Sequence, residues 1–354
     1  MPAPLKAIVV GCRRGRAHAV PIAQLDQYEL IGLCDLSRET AEELAAQTGN
    51  PPIFTDYDEM LAATVPDVVA VTVPTALHKE CVLKALAKGV KGIVCEKPMA
   101  RNLKEARAMV AACKQAGVPL IFEHQRRLND PYRTMRRLIA EGAIGDLQLI
   151  RVSCAGQVIT DGTHSVDLIF HLAGDPVPDW VFGQVHRLPP NPDEPKAMGG
   201  KPSGGYRYGH PIESGAMAVV QFKDGVRAEL LCGDVRLFDR PYQDVEAFGS
   251  RGRLWRSGDN ADPPLQIQDG KGCSRAAELD PDEFGTPDPD TRSYILFAET
   301  VRNGAPHPLN AGNALYMFQV LMGIYESARL NRKITLPVEQ EEFPLELMIA
   351  EGRA

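Results

Sequence analysis

Short apolar runs alternate with stretches of helical periodicity along the first 125 residues. The runs at 6–11, 28–34, 68–73, 92–95 and 119–122 are almost wholly apolar, which suits strands buried on both faces. Between them, 17–25, 38–48, 78–88 and 103–116 carry apolar residues at helical spacing. In the last of these, Leu103, Ala106, Met109, Val110 and Cys113 share one face. Strand–helix–strand repetition predicts a doubly wound α/β domain whose parallel sheet is covered on both sides.

After residue 125 the pattern changes. Residues 131–141 read as a helix closed by Gly142, 147–155 as a strand, and 164–172 as a helix ended by Gly174. Strand-like runs then follow without helices between them, at 217–222, 226–231, 245–248, 254–255 and 265–268. Lys223-Asp224-Gly225 is a hairpin signal. Two helices, 291–302 and 311–330, come last. Segments 189–211 and 258–289, rich in Pro, Gly and Asp, read as long surface loops or lids. The expectation is two domains, residues 1–125 as α/β and residues 126–354 as α+β with a largely antiparallel sheet. A length of 354 residues at roughly 150 per domain agrees.

Composition narrows the function. Lys plus Arg number 39 against 46 for Asp plus Glu, a net charge of −7, which argues against a general nucleic-acid binder. No apolar run approaches the roughly 18 residues of a membrane span. The first apolar run lacks a basic flank and a cleavage site, so it reads as a strand rather than a signal peptide. Eight cysteines without a Cys-x-x-Cys pair read as small buried hydrophobes in a reducing cytoplasm. The histidines do not cluster at ligand spacing, so no metal is expected.

The chemistry starts where the first strand meets the first helix, at Gly11-Cys12-Arg13-Arg14-Gly15-Arg16-Ala17-His18. Glycines at that turn let the backbone approach a pyrophosphate held by helix N–H groups. The spacing is one residue short of the Gly-x-Gly-x-x-Gly fingerprint, and Arg13 stands at the middle glycine. Arg13 and Arg14 either add charge to phosphate binding or are solvated. Asp35 ends the second strand, 20 residues after Gly15, and suits an acceptor for the adenosine ribose 2′-hydroxyl. A carboxylate there repels a 2′-phosphate, so NAD is favoured over NADP. The alternative for Asp35 is a helix cap.

Further motifs leave successive strand ends: Thr72-Val73-Pro74-Thr75-Ala76-Leu77-His78, then Cys95-Glu96-Lys97-Pro98, then Phe122-Glu123-His124-Gln125-Arg126-Arg127. Gly162-Thr163-His164-Ser165-Val166-Asp167 opens a helix, and Ile324-Tyr325-Glu326 and Ile334-Thr335-Leu336-Pro337 follow near the end. This order resembles the glucose–fructose oxidoreductase/inositol dehydrogenase (Gfo/Idh/MocA) family over nearly the whole chain. The resemblance implies an N-terminal Rossmann domain and a C-terminal domain with a large open sheet that carries a homodimer or homotetramer interface. It also implies a nicotinamide cofactor, and a sugar, cyclitol or related polyol as substrate between the domains.

Carried over residue by residue, the resemblance places Gly11, Gly15, Asp35, Pro74, Thr75, His78, Glu96 and Lys97 at the cofactor. Gln125 joins them as a residue reaching the nicotinamide. Lys97 would also touch the substrate hydroxyl, with a peptide bond to Pro98 that is often cis. His164 is the candidate acid/base, because an imidazole with an unperturbed pKa of about 6.5 exchanges protons near neutrality. Many relatives have an Asp four residues before this histidine. Here that position is Thr160, and Asp161 stands one later as the candidate third member. Arg127, in preference to Arg126, is a candidate substrate contact. Tyr206, in the basic aromatic cluster 206–210, either lines the pocket or lies on a surface loop. The expected function is NAD(P)-dependent oxidation or reduction of a polyol. The alternatives are a glycosidase or lyase working through transient oxidation, and a non-catalytic dinucleotide binder.

Overall fold

The computed structural model describes residues 2–191, 193–197, 200–236 and 242–353. Its chain begins with β1 (Leu5–Val10), α1 (Cys12–Gln24), β2 (Tyr28–Cys34), α2 (Arg38–Ala45), β3 (Ile53–Phe54) and α3 (Tyr57–Ala63). It continues through β4 (Val68–Val71), α4 (His78–Ala87), β5 (Gly92–Cys95), α5 (Leu103–Ala116) and β6 (Leu120–Phe122). The six strands form one parallel sheet in the order β3-β2-β1-β4-β5-β6. Strands β4, β5 and β6 are buried along their whole length, as their apolar runs require. Side-chain caps start three helices: Ser37 accepts from the Thr40 N–H, Asp56 from Glu59 and Asn102 from Glu105.

Two elements here escape the hydrophobic pattern. β3 has only two residues and α3 seven, too few to show a period. A third differs in extent: α1 starts at Cys12, so the three arginines expected in a loop lie on its first turns.

The second sheet belongs to a different unit. Helix α6 (Asp130–Ala140) leads into β7 (Leu147–Cys154), and α7 (Gly162–Ala173) into β8 (Pro178–His186). A short pair, β9 (Tyr206–Arg207) and β10 (His210–Pro211), lies within the long loop, whose residues 192, 198 and 199 are outside the described residues. Then come β11 (Gly215–Phe222), β12 (Arg227–Gly233), β13 (Gln243–Gly249), β14 (Gly252–Ser257), β15 (Gln266–Asp269) and β16 (Ser274–Ala276). The chain ends with α8 (Pro289–Asn303), α9 (Ala311–Leu330), β17 (Ile334–Thr335) and α10 (Pro344–Ala350). Nine of these strands form a mixed sheet, β16-β15-β14-β13-β7-β12-β11-β8-β17, in which β7 and β12 run parallel and the other pairs are antiparallel.

Period-two alternation divides this sheet's faces. On β11, Ala216, Ala218, Val220 and Phe222 are buried, with Phe222 edge-on to Phe170 of α7 at 5.2 Å. Met217 on the other face is 53% exposed, and Phe182 on β8 is 40% exposed.

The domain expectation needs one correction. Residues Met1–Gln125 form the first unit together with Glu283–Leu315, and Arg126–Asp282 with Tyr316–Ala354 form the second. The reason is the apolar side of α8: Tyr294, Phe297 and Ala298 are buried. The Tyr28 hydroxyl donates to the Tyr294 carbonyl at 2.8 Å, and the Phe122 N–H donates to the Leu309 carbonyl at 3.1 Å. Among the described residues, no helix is long and apolar enough to cross a membrane.

Candidate functional site

At the carboxyl edge of the first sheet, Gly11 turns the chain with φ of 94° directly into α1. A Cβ on Gly11 would lie 2.7 Å from the Thr72 carbonyl oxygen, so the backbone can pass β4 only as glycine. Gly15, one turn into α1, would press a Cβ against Val9 Cγ1 at 2.8 Å. The fingerprint's tight-turn and close-packing glycines are therefore both present, without the middle one. Arg13 is exposed on the first turn, whereas Arg14 donates to the buried carboxylate of Glu96.

Asp35 follows β2 with each carboxylate oxygen on a backbone N–H: Cys12 at 2.7 Å and Ser37 at 2.9 Å. It does not cap α2, since Ser37 does that. Its carboxylate is instead fixed beside the start of α1. The turn after β4 holds Pro74 and a buried Thr75, whose short 3₁₀ turn runs into α4. His78 is buried there, with Nε2 2.9 Å from the Val73 carbonyl and Nδ1 3.3 Å from that of Met99. Burial lowers its pKa. Its ring thus joins the turns after β4 and β5 and presents no nitrogen to a ligand, so the expected direct cofactor contact becomes a positioning role.

Glu96 is the centre of the edge. Oε1 meets Arg14 Nε and His18 Nε2, the latter at 3.0 Å, and Oε2 accepts the Lys97 N–H at 3.0 Å. Burial alone would raise the Glu96 carboxyl, but the hydrogen bond and charge of His18, with Arg14 and Lys97, lower it to about 2. The Lys97–Pro98 peptide is cis. Farther along the edge, Glu123 accepts from the Ser293 hydroxyl at 3.0 Å. Burial, reinforced by Asp290 and Glu96, holds its carboxyl well above the usual range. Gln125 has a buried side-chain oxygen without a hydrogen-bond partner.

In the second unit, His164 is the third residue of α7 and is 7% exposed. Asp161 precedes the helix, but its side chain makes no cap. It pairs with Arg207, which also donates to Thr160 Oγ1 and Gln157 Oε1, each at 3.2 Å. The candidate third member, Asp161, thus has its charge already matched by Arg207. Arg127 departs from its expectation. It is 2% exposed, with Nε on both Asp167 oxygens at 2.9 and 2.8 Å and Nη1 on Asp175 at 2.7 Å. Its donors face the protein interior, so it braces α7 rather than meeting substrate. Arg126 grips Asp259 at 2.6 and 2.9 Å. The Tyr206 ring carries Lys196 Nζ 4.4 Å from its centroid.

Four residues outside the expected set support these sites. His18 was visible as part of the first motif, four residues after Arg14, and Arg207 as part of the basic aromatic cluster. Glu213 accepts the Val158 N–H and the Tyr325 hydroxyl, both at 2.6 Å, and so holds the segment before α7. Tyr325 stood in a quoted motif, but Glu213 carries no local signal.

Comparison with known proteins places the chain in a family. Residues 5–124 match the model described as an oxidoreductase family with an NAD-binding Rossmann fold, and residues 132–255 match the GFO/IDH/MocA C-terminal domain. The chain belongs to the Gfo/Idh/MocA oxidoreductase family. Membership makes this protein an oxidoreductase with an NAD-binding Rossmann domain. D-apiose dehydrogenase of Paraburkholderia graminis is 28% identical, covering 96% of this chain and 92% of its own. Myo-inositol 2-dehydrogenase of Thermotoga maritima is 26% identical, over 70% of this chain and 73% of its own. Among solved structures, an oxidoreductase from Agrobacterium radiobacter in complex with NAD+, L-tartaric acid and magnesium has the same fold. Its TM-score is 0.76 at 18% identity, covering 94% of this chain and 98% of that one.

The first unit fits a dinucleotide on its own evidence. Gly11 leaves a cradle that a Cβ would fill, Asp35 fixes a carboxylate at the end of β2, and the Gln125 side-chain oxygen is buried and unpartnered.

Proposed function

We propose that this family member oxidises a secondary hydroxyl of a sugar, cyclitol or related polyol, with NAD as the hydride acceptor. The observation that supports it most is the Glu96 network, which fixes the Lys97 backbone at the ligand-binding edge of a Rossmann sheet. In this reading Gly11 and the α1 N-terminus hold the pyrophosphate and Asp35 the adenosine ribose, with Thr75 and Gln125 completing the contacts. The nicotinamide, when bound, supplies the hydride chemistry. The Lys97 ammonium stabilises the negative charge that develops on the substrate oxygen. His164 Nδ1 or Nε2 takes the hydroxyl proton. Asp161, held by Arg207, sets the start of α7 and so the place of His164. Names of relatives that act on apiose and inositol support the substrate class.

The test is turnover with a panel of sugars and cyclitols under NAD and, separately, NADP. NADH formation with at least one polyol is expected. Product release without net cofactor reduction with every substrate would replace this reading with a redox-neutral elimination. The fixed Asp35 carboxylate predicts a preference for NAD, and Asp35→Asn should reduce the ratio of kcat/KM for NAD over NADP by about tenfold. An unchanged ratio would remove Asp35 from that role.

The uncovered face of the second sheet supports a homodimer or homotetramer, because Trp180, Phe182, Met217 and Val219 cluster on neighbouring β8 and β11. Sedimentation should show an oligomer that Phe182→Glu with Met217→Lys dissociates. A monomeric wild type would end this part of the proposal. Eight free thiols, seven of them buried, support a cytoplasmic location.

A further inference from the structure

The geometry points to His18 as a positioning residue that sets the Lys97 turn through Glu96. His18 lies one helical turn after Arg14, so both side chains reach the same Glu96 oxygen from α1. It is 1% exposed. Since a carboxylate only accepts, Nε2 carries the proton toward Glu96. Nδ1 meets the Tyr294 hydroxyl of α8 at 2.8 Å, which fixes the ring's orientation. The remaining Glu96 oxygen takes the Lys97 N–H at 3.0 Å. A chain of three hydrogen bonds therefore runs from α8 through α1 to the turn that carries Lys97. Arg14 is the weaker tether, because its side chain is 43% exposed and shared with Asp290 at 3.9 Å.

Titratable groups face Glu96 from every element around it. They are Arg14 and His18 on α1, His78 on α4, Cys95 at the end of β5, Glu123 after β6, Asp290 and Tyr294 on α8, and the neighbouring Lys97. Burial disfavours the Glu96 anion, and His18 is the first of the groups that offset it. Removing His18 therefore raises the Glu96 pKa. The carboxylate is then lost as pH falls through that higher value, and its hold on the Lys97 N–H weakens with it.

The kinetic part rests on the proposed dehydrogenase reading, and the exchange part does not. His18→Leu removes the donor, His18→Gln returns an amide N–H at similar reach, and Tyr294→Phe removes the ring's anchor. In His18→Leu, amide exchange at residues 96–100 should quicken by about tenfold while β1 and β4 exchange as in the wild type. Its kcat should fall about 30-fold, with KM for cofactor within about threefold and the acid limb of the pH profile moved upward. His18→Gln should restore exchange and kcat to within about threefold, and Tyr294→Phe should fall between. Unchanged exchange at 96–100 in His18→Leu, or faster exchange spread evenly over the first unit, would overturn the inference. If no polyol is turned over by the wild type, the dehydrogenase reading fails while the exchange comparison still decides the role of His18.

Discussion

Lys97→Met is expected to lower kcat by about 10³-fold, with a rise of about tenfold in KM for the cofactor. Methionine keeps the length and apolar stem of lysine but removes the ammonium. The main chain should hold its course, because the contact to Glu96 is made by the Lys97 backbone N–H, which the substitution leaves in place. Loss of rate would then report the missing positive charge at the developing alkoxide rather than a displaced turn. His164→Asn should be similarly slow, because an amide cannot take up the hydroxyl proton. Steady-state kinetics decides the matter. A Lys97→Met enzyme within about tenfold of the wild type would remove Lys97 from the chemistry.

Arg127→Leu is expected to destabilise the second unit by about 3–5 kcal/mol. Asp167 is 3% exposed and would be left buried without the guanidinium that now meets both its oxygens. Asp175 is less confined, with 29% of its side chain exposed, and would rehydrate. Arg127→Leu combined with Asp167→Leu should recover much of the loss, since an apolar pair in place of a buried ion pair is often close to neutral. Urea unfolding followed by tryptophan fluorescence measures both, because Trp180 and Trp255 lie in the second unit's sheet. A single variant as stable as the wild type would mean that water reaches Asp167.

The strands of the first sheet were legible because burial on both faces demands unbroken apolar runs, and β2 and β5 appear in the sequence at their full extent. Helix α5 was equally clear from its apolar stripe, to which the structure adds an Asn102 cap and Gly117 in the left-handed region at its end. β8 was not expected, because Pro178, Asp179 and Gly183 interrupt its pattern. The start of α1 was missed for a different reason: Arg13, Arg14 and Arg16 look like loop polarity, whereas all three are exposed side chains of a helix.

Among site residues, the sequence marked positions on strand ends but not what each side chain would meet. Asp161 reads in the sequence as a third catalytic member and Arg127 as a substrate contact. Their partners, Arg207 at 46 residues' separation and Asp175 at 48, have no spacing rule that would reveal them. His18 shows the opposite case. Its spacing from Arg14 was plain, but only the fold brings Glu96, 78 residues away, to both.

The return of residues 283–315 to the first unit sets an order of events during synthesis. When residue 125 leaves the ribosome, all six strands of the Rossmann sheet exist, yet α8 has not been made. Gly92 at that stage lacks the Phe297 and Val301 side chains that close on it, and Tyr28 and His18 lack Tyr294. The whole of the intervening second-unit sequence must emerge before this gap can be filled. The nascent N-terminal third therefore carries an open apolar seam until α8 emerges, and over that interval the seam is exposed to aggregation.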